Sequence, residues 1–323
     1  MKAMLIRRYG GPEIFELGEV ATPRPGPGEV LVRVRASSVN PVDAGIRQGG
    51  LRFFVRLRMP AILGVDVAGE VAELGAGVTR FAKGDRVFAF TGIARGGGYG
   101  ELAVVPETFL GRVPASLTWA EAGTVPGVGA TAYEALTVHA PVRPGMRVFI
   151  NGGAGGVGTY AIQIAKALGA EVTATCSEAK AKLLRELGAD RAVDYTKGDP
   201  FATGHDSYDI VLNCVRGPSL SPMRKLLKKG GALVTVTGMP PQAVVAKLRN
   251  LVSSRRTVIM MVQTSGALLD GLAKLIDGGK VRPVVERTYG WSELAEAHRR
   301  VETGRVTGKV AVLAPESSNQ EAI

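Results

Sequence analysis

The chain has 323 residues, 46 % of them hydrophobic and 21 % charged, a balance too apolar for disorder and too charged for a bundle of membrane helices. Its 40 Lys and Arg outnumber 29 Asp and Glu, and the formal net charge of +11 favours anionic ligands without naming one. Two cysteines, Cys176 and Cys214, cannot build a disulfide framework or a four-cysteine zinc site. The histidines His139, His205 and His298 lie far apart, so no metal site of N and S ligands is expected. The opening residues lack the apolar core of a signal peptide. The longest strongly apolar run, residues 258–262, falls well short of the roughly 18 residues of a membrane span. A cytoplasmic protein with no membrane partner is expected. Basic residues cluster at 52–58, 224–229 and 247–256 without a nucleic-acid motif, so no RNA partner is expected either.

Residues 23–28, Pro-Arg-Pro-Gly-Pro-Gly, are a turn signal. Residues 29–36 alternate with period two, as a half-buried strand does. Further strands are predicted at 67–74, 85–90 and 101–105, with Gly-rich turns between them. Many short strands with such turns point to an all-β barrel or sandwich. From about residue 124 the period changes. Helical patterns at 130–138, 159–168, 178–187 and 221–228 alternate with apolar strands at 147–150, 171–176, 209–214 and 232–237. Such alternation with short links gives right-handed crossovers and a parallel sheet. Helices at 267–276 and 291–302 and a strand at 309–313 end the chain. The predicted class is α/β. A Rossmann-type doubly wound parallel sheet spans residues 124–263, inserted into a β-rich domain made of residues 1–123 and 264–323.

The sharpest motif is Asn151-Gly152-Gly153-Ala154-Gly155-Gly156-Val157-Gly158. Gly153, Gly155 and Gly158 fit G-x-G-x-x-G between a predicted strand and a predicted helix, the context a dinucleotide site requires. The first glycine allows the tight turn, the second admits a pyrophosphate, and the third lets the helix pack on the sheet. At the end of the second strand an acid would hold a ribose 2′-OH and a cation a 2′-phosphate. Glu178, about 20 residues past the last glycine, formally supports NAD. Ser177 is neutral, however, and Lys180 stands in a first helical turn, where a cation opposes the helix dipole. A 2′-phosphate accounts for that charge, so NADPH is the expected cofactor.

Further segments, taken in order, resemble one family. They are Ser38-Val39-Asn40-Pro41-Val42-Asp43 with Ile46-Arg47, Leu63-Gly64-Val65-Asp66-Val67-Ala68-Gly69, and Lys83-Gly84-Asp85-Arg86-Val87. Gly129-Ala130-Thr131-Ala132-Tyr133, Leu187-Gly188-Ala189-Asp190, Asp194-Tyr195 and Gly308-Lys309-Val310 complete the set. Over nearly its whole length the chain resembles the zinc-independent, zeta-crystallin-like quinone oxidoreductases of the medium-chain dehydrogenase/reductase superfamily. That resemblance implies a GroES-like β-rich domain, a Rossmann domain, and a homodimer formed at the Rossmann edge strand. The candidate edge strand is residues 258–262. It also implies cofactor contacts at Asn40 and Thr131 near the nicotinamide, and at Gly153, Ala154, Gly155, Gly156 and Val157 for the pyrophosphate. Ser177, Lys180 and Tyr195 match the 2′-phosphate site, and Val215 a residue beside the adenosine. Gly238 and Met239 fall where the cofactor passes the next strand end. Val262 and Gln263 match the segment that holds the carboxamide, and Lys309 a lysine near the cofactor. Gln263 stands where many relatives carry Arg. Zinc-dependent relatives carry a Gly-His-Glu element where this chain has Gly64-Val65-Asp66, and no cysteine precedes residue 176, so no metal is expected.

Without a Lewis acid a simple ketone is a poor hydride acceptor, whereas a quinone or an enone spreads the added charge onto oxygen. The activity expected is NADPH-dependent reduction of quinones or α,β-unsaturated carbonyls. An enoyl-thioester reductase is the alternative within enzymes, and a non-catalytic NADPH-sensing or RNA-binding crystallin-like protein the alternative outside them. Asn40, Arg47 and Tyr99 are the candidate polar groups on the substrate side. For Arg47 the plain reading is a surface ion pair with Asp43. For Tyr99, in the glycine-rich stretch 96–100, it is a structural tyrosine rather than a mobile lip or proton donor.

Overall fold

A computed structural model describes residues 1–53, 55–202, 204–217, 219–237 and 240–315, without the side chains of 240–242. It divides into two compact units: Met1–Gly127 with Gln263–Asp277 and Pro283–Ile323, and Val128–Val262 with Gly278–Arg282.

The first unit is built on the strand Glu29–Ser38, which pairs antiparallel with Asp66–Leu74, Leu102–Pro106 and Lys309–Leu313. Val30, Val32 and Val34 point into one core with Val67, Val71, Val87 and Phe81. This is the alternation predicted from the sequence. The strand runs past Ala36 because Ser37 and Ser38 pair with Val312 and Ala311, a partner some 270 residues away that no local pattern announces. The helix Pro41–Arg47, too short for a period, also escapes the pattern. Its own chemistry explains it: Asn40 is the extended residue before the first turn, Pro41 opens the helix, and Asp43 Oδ2 accepts the Asn40 amide at 2.9 Å.

The second unit holds six parallel strands. Their spatial order is Arg191–Asp194, Glu171–Cys176, Arg147–Asn151, Tyr208–Asn213, Leu227–Thr235, Arg256–Ile259. The order reverses between Arg147–Asn151 and Tyr208–Asn213, the switch point where such sheets bind ligands. The central strands read Val148-Phe149-Ile150 and Ile210-Val211-Leu212, buried on both faces as parallel strands are.

Boundaries move where polar residues interrupt the pattern. The strand predicted at 232–237 starts at Leu227, through Lys228, Lys229 and Gly230, and stops at Thr235. The edge strand predicted at 258–262 is Arg256–Ile259, the last of the sheet; Met260 is buried just beyond it and Met261 already faces out. The helix Pro240–Asn250 escapes the sequence reading, although Val244, Val245, Leu248, Leu251 and Val252, all exposed, recur at helical spacing along it and the turns after it.

Candidate active site

The strand Arg147–Asn151 leads into the glycine turn and then into the helix Gly156–Ala167. The tight turn is made at Gly152, with φ +85°, and not at Gly153. Gly153 serves close packing instead, because a Cβ there would lie 2.8 Å from the Ala174 methyl. A Cβ on Gly158 would lie 2.2 Å from Gly152 O and 2.7 Å from Gly153 Cα, so only glycine lets the helix start against the turn. Gly155 is different. A Cβ there would meet nothing nearer than Gly152 O at 3.6 Å, so a side chain would occupy open space in front of the helix. Gly155 precedes the helix without a side-chain cap. The amides of Gly156, Val157 and Gly158 come before the first intrahelical bond, Thr159 N to Gly155 O at 3.0 Å. An open cradle faced by such amides fits a pyrophosphate.

The turn is anchored by a buried polar chain across the strand ends. Gly152 N donates to Thr175 Oγ1 at 2.8 Å, and Thr175 Oγ1 donates to Asn151 Oδ1 at 2.9 Å. Asn151 Nδ2 donates to Asn213 Oδ1 at 2.9 Å, and Asn213 Nδ2 reaches Thr235 Oγ1 and Val215 O, each at 3.1 Å. Asn151 and Asn213 sit in register as the last residues of two apolar strands. That placement is the signal that could have found them in the sequence. It also gives a role to the Asn213-Cys214-Val215 stretch: Asn213 fixes the turn that presents Val215, which is partly exposed.

At the neighbouring strand end, Cys176 and Asp194 are in register, which brings Ser177 and Tyr195 side by side. Tyr195 N donates to Cys176 O at 3.1 Å, and Lys180 N donates to Ser177 O at 2.9 Å. Tyr195 is largely exposed, while Ser177 and Lys180 are half-buried. Glu178, the acid that spoke for NAD, is ion-paired with Lys197 at 2.6 Å. Lys197 was not singled out in the sequence. Thr131 is buried in the helix Pro126–Glu134, Val262 is half-buried and Gln263 exposed. Gly238 and Met239 lie outside the described residues.

In the first unit, Asn40 and Lys309 meet in a buried cluster of charges. Asp66 Oδ1 accepts Gly127 N at 2.7 Å, and its Oδ2 accepts Asn40 Nδ2 at 2.8 Å and Ser38 Oγ at 2.5 Å. Lys309 Nζ donates to Asn40 Oδ1 at 2.7 Å and to Val39 O at 2.9 Å, and lies 3.9 Å from Asp66 Oδ2. The Asn40 amide is therefore fixed, carbonyl toward Lys309 and NH2 toward Asp66. Asp43 Oδ1 accepts Val65 N at 3.1 Å. Burial pushes the Asp43 carboxyl up to about 7, with Asp66 adding to the rise, and burial pulls the Lys309 ammonium down.

The other two predicted substrate-side groups are buried. Arg47 is fully buried and pairs with Glu302, not with Asp43, whose oxygens already accept two backbone amides. Tyr99 is fully buried, so it is neither a mobile lip nor an exposed proton donor. Its hydroxyl donates to Ser38 O at 3.2 Å and lies 3.2 Å from His298 Nε2. Burial, with the Arg47 charge beside it, holds His298 down at about 3, so the imidazole is neutral.

Comparison with known proteins agrees with this architecture. The family described as "Alcohol dehydrogenase GroES-like domain" matches residues 26–115, and the one described as "Zinc-binding dehydrogenase" matches residues 187–312. The chloroplastic quinone-oxidoreductase QR1 of Triphysaria versicolor is 34 % identical, over 97 % of this chain and 98 % of its own length. The chain belongs to the quinone oxidoreductases of the medium-chain dehydrogenase/reductase superfamily. The mitochondrial NAD(P)H oxidoreductase RTN4IP1 of Danio rerio is 34 % identical over 97 % of this chain and 91 % of its own length. The structure of the quinone oxidoreductase from Coxiella burnetii superposes with a TM-score of 0.86 at 31 % identity, covering 97 % of this chain and 99 % of that one. For this quinone oxidoreductase the zinc in one family's description does not fit the donors present. Among the described residues no three His, Cys, Asp or Glu side chains gather as metal ligands would.

The glycine geometry separates two roles. Gly155→Ala should fold normally yet lose most affinity for reduced nicotinamide dinucleotide, because its methyl enters the open cradle. Gly158→Ala should also lower Tm, because backbone must move away from the new methyl. Differential scanning calorimetry with a fluorescence titration checks both; normal binding by Gly155→Ala contradicts the assignment. His298 gives a pH dependence. The unfolded chain takes up a proton near 6.5, and the folded chain only near about 3. The stability from this group is complete above the unfolded value and lost as pH falls toward the folded one. The drop in Tm from about pH 7.5 to about pH 5 should therefore be smaller in His298→Asn than in the wild type. Equal drops contradict a buried neutral imidazole.

Proposed function

We propose that the protein is a reductase that uses NADPH to transfer hydride to quinones or α,β-unsaturated carbonyls without a metal. The observation that carries this reading is the open glycine cradle at a Rossmann switch point in a chain of the quinone oxidoreductase family. The bound nicotinamide supplies the hydride and its electron pair.

The chain's own residues bind and orient. The amides of Gly156 and Val157, with Gly153, Ala154 and Gly155, cradle the pyrophosphate. Ser177, Lys180 and Tyr195 receive the 2′-phosphate, and Glu178, the acid that would favour NAD, is paired with Lys197. Val215 flanks the adenosine. Thr131, Val262 and Gln263 contact the nicotinamide side. Asn40 orients the ring, and Lys309 and Asp66 hold the Asn40 amide in one direction. Once hydride has added, charge accumulates on the acceptor oxygen, and water supplies the proton. Arg47 and Tyr99 support the segment that carries Asn40. A homodimer formed at the strand Arg256–Ile259, whose outer edge has no neighbour in the sheet, is part of the same proposal. No observation favours a thioester substrate or RNA.

Steady-state turnover of a 1,4-quinone with NADPH and with NADH tests the reading. NADPH should be consumed with the higher kcat/KM. Lys180→Ala should lower kcat/KM for NADPH at least about tenfold, about 1.4 kcal/mol, and leave NADH within about twofold. Equal losses contradict the NADPH assignment, and no consumption with any quinone or enone contradicts the reductase.

A further inference from the structure

In the second unit the strands Glu171–Cys176 and Arg191–Asp194 end side by side, with Cys176 opposite Asp194. Each chain then turns. After Cys176, Ser177 leads into the short turn Glu178–Lys180. After Asp194 the backbone folds back at once. Lys197 N donates to Asp194 O at 3.4 Å, and Asp194 Oδ1 accepts the amide and the hydroxyl of Thr196 at 2.9 Å and 2.8 Å. This turn fixes where the Lys197 side chain starts. The side chain crosses to the other turn, where its ammonium meets Glu178 Oε2 at 2.6 Å. The ion pair therefore spans the same two turns that carry Ser177 and Tyr195.

The two turns carry Glu178 and Asp194 against Lys180 and Lys197. Their acids differ in what holds them. Asp194 is committed to its own turn, and the Thr196 hydrogen bonds, helped by the Lys197 charge, keep its carboxyl below the usual range. Glu178 is 71 % exposed, and its carboxylate is paired across the corner with Lys197. Left to itself, a carboxylate at the end of the second strand accepts a hydrogen bond from a ribose 2′-OH and repels a 2′-phosphate. An ion pair this exposed is weak, so it opens readily to a stronger anion. A phosphate monoester is one, with about two negative charges at neutral pH.

We propose that Lys197 selects the cofactor in two ways: it withholds the Glu178 carboxylate from a ribose 2′-OH, and it passes its ammonium from Glu178 to the 2′-phosphate when NADPH binds. The inference rests on the NADPH reading above and adds to it. Ser177, Lys180 and Tyr195 account for how a phosphate is received. They do not account for why a glutamate at the position that would serve NADH fails to favour it, and the pairing with Lys197 does. The exchange breaks one surface ion pair and forms a charge-assisted contact to a dianion, while the Glu178 side chain turns to water. Lys197 discriminates at the adenosine ribose, away from the nicotinamide. Its replacement should therefore change KM and Kd and leave kcat alone.

Fluorescence titration of the full chain with NADPH and with NADH, alongside quinone turnover, tests this. Lys197→Met should raise Kd for NADPH at least about fivefold and lower Kd for NADH at least about twofold, with kcat unchanged for both. Glu178→Gln should bind NADPH at least as tightly as the wild type. The double variant should lose the gain for NADH, because the acid that accepts the hydroxyl is gone. A pair that serves only the fold would give a lower Tm and equal losses for both cofactors. Equal losses, no change in either Kd, or a gain for NADH that persists without Glu178 would overturn the proposal. Lys180→Ala in the same titrations separates this inference from the reading beneath it. If that variant loses NADPH affinity and Lys197→Met does not, the Lys197 assignment alone falls. A wild type that binds NADH as tightly as NADPH contradicts the NADPH reading and this inference together.

Discussion

Helix Gly156–Ala167 begins so close to the preceding turn that a single methyl at Gly158 would overlap Gly152 O. Most of what the second unit can do depends on that approach. It sets the first helical amides at the switch point of the sheet and leaves Gly155 bordering open space. The polar chain Thr175–Asn151–Asn213–Thr235 then ties four strand ends together beneath the turn. Buried polar groups that satisfy one another in this way fix a single arrangement, whereas an unsatisfied member would cost about 1–3 kcal/mol. The cradle is thus shaped before a ligand arrives.

The first unit solves a different problem with the same means. Asp43, Asp66 and Lys309 are all buried, two carboxyl groups beside one ammonium. Such groups are tolerated only when each charge is paired or hydrogen-bonded, and backbone amides from Asn40, Val65 and Gly127 supply much of that. Asn40 is the bridge between the two signs. Its direction is dictated by its neighbours. Removing Lys309 would leave buried carboxyl groups without their counter-charge, so the lysine holds the cluster together.

What could be read from the sequence follows from range. The glycine fingerprint and the strand–helix alternation are local, and both appear in the structure, though the tight turn belongs to Gly152 and not Gly153. The family segments, too, are local words. By contrast, Arg47 has an acid four positions away, yet its partner is Glu302, 255 residues on, because Asp43 is already committed to backbone amides. Lys309 reaches Asn40 across 269 residues. Tyr99 reads as a structural tyrosine despite its glycine neighbours, but its partners, the packing under Gly64 and against His298, are not local. The apolar stripe at 244–252 shows the limit from the other side. Helical spacing is the same whether a face is buried or exposed, and exposure is a property of the neighbours.

The central claim is that the glycine cradle holds a reduced pyridine dinucleotide. Isothermal titration calorimetry of the wild-type protein with NADPH tests it most directly. The account predicts a saturable exothermic signal with one site per chain. No heat and no saturation under conditions where the protein is folded would contradict it, since the proposed chemistry would then have no electron donor.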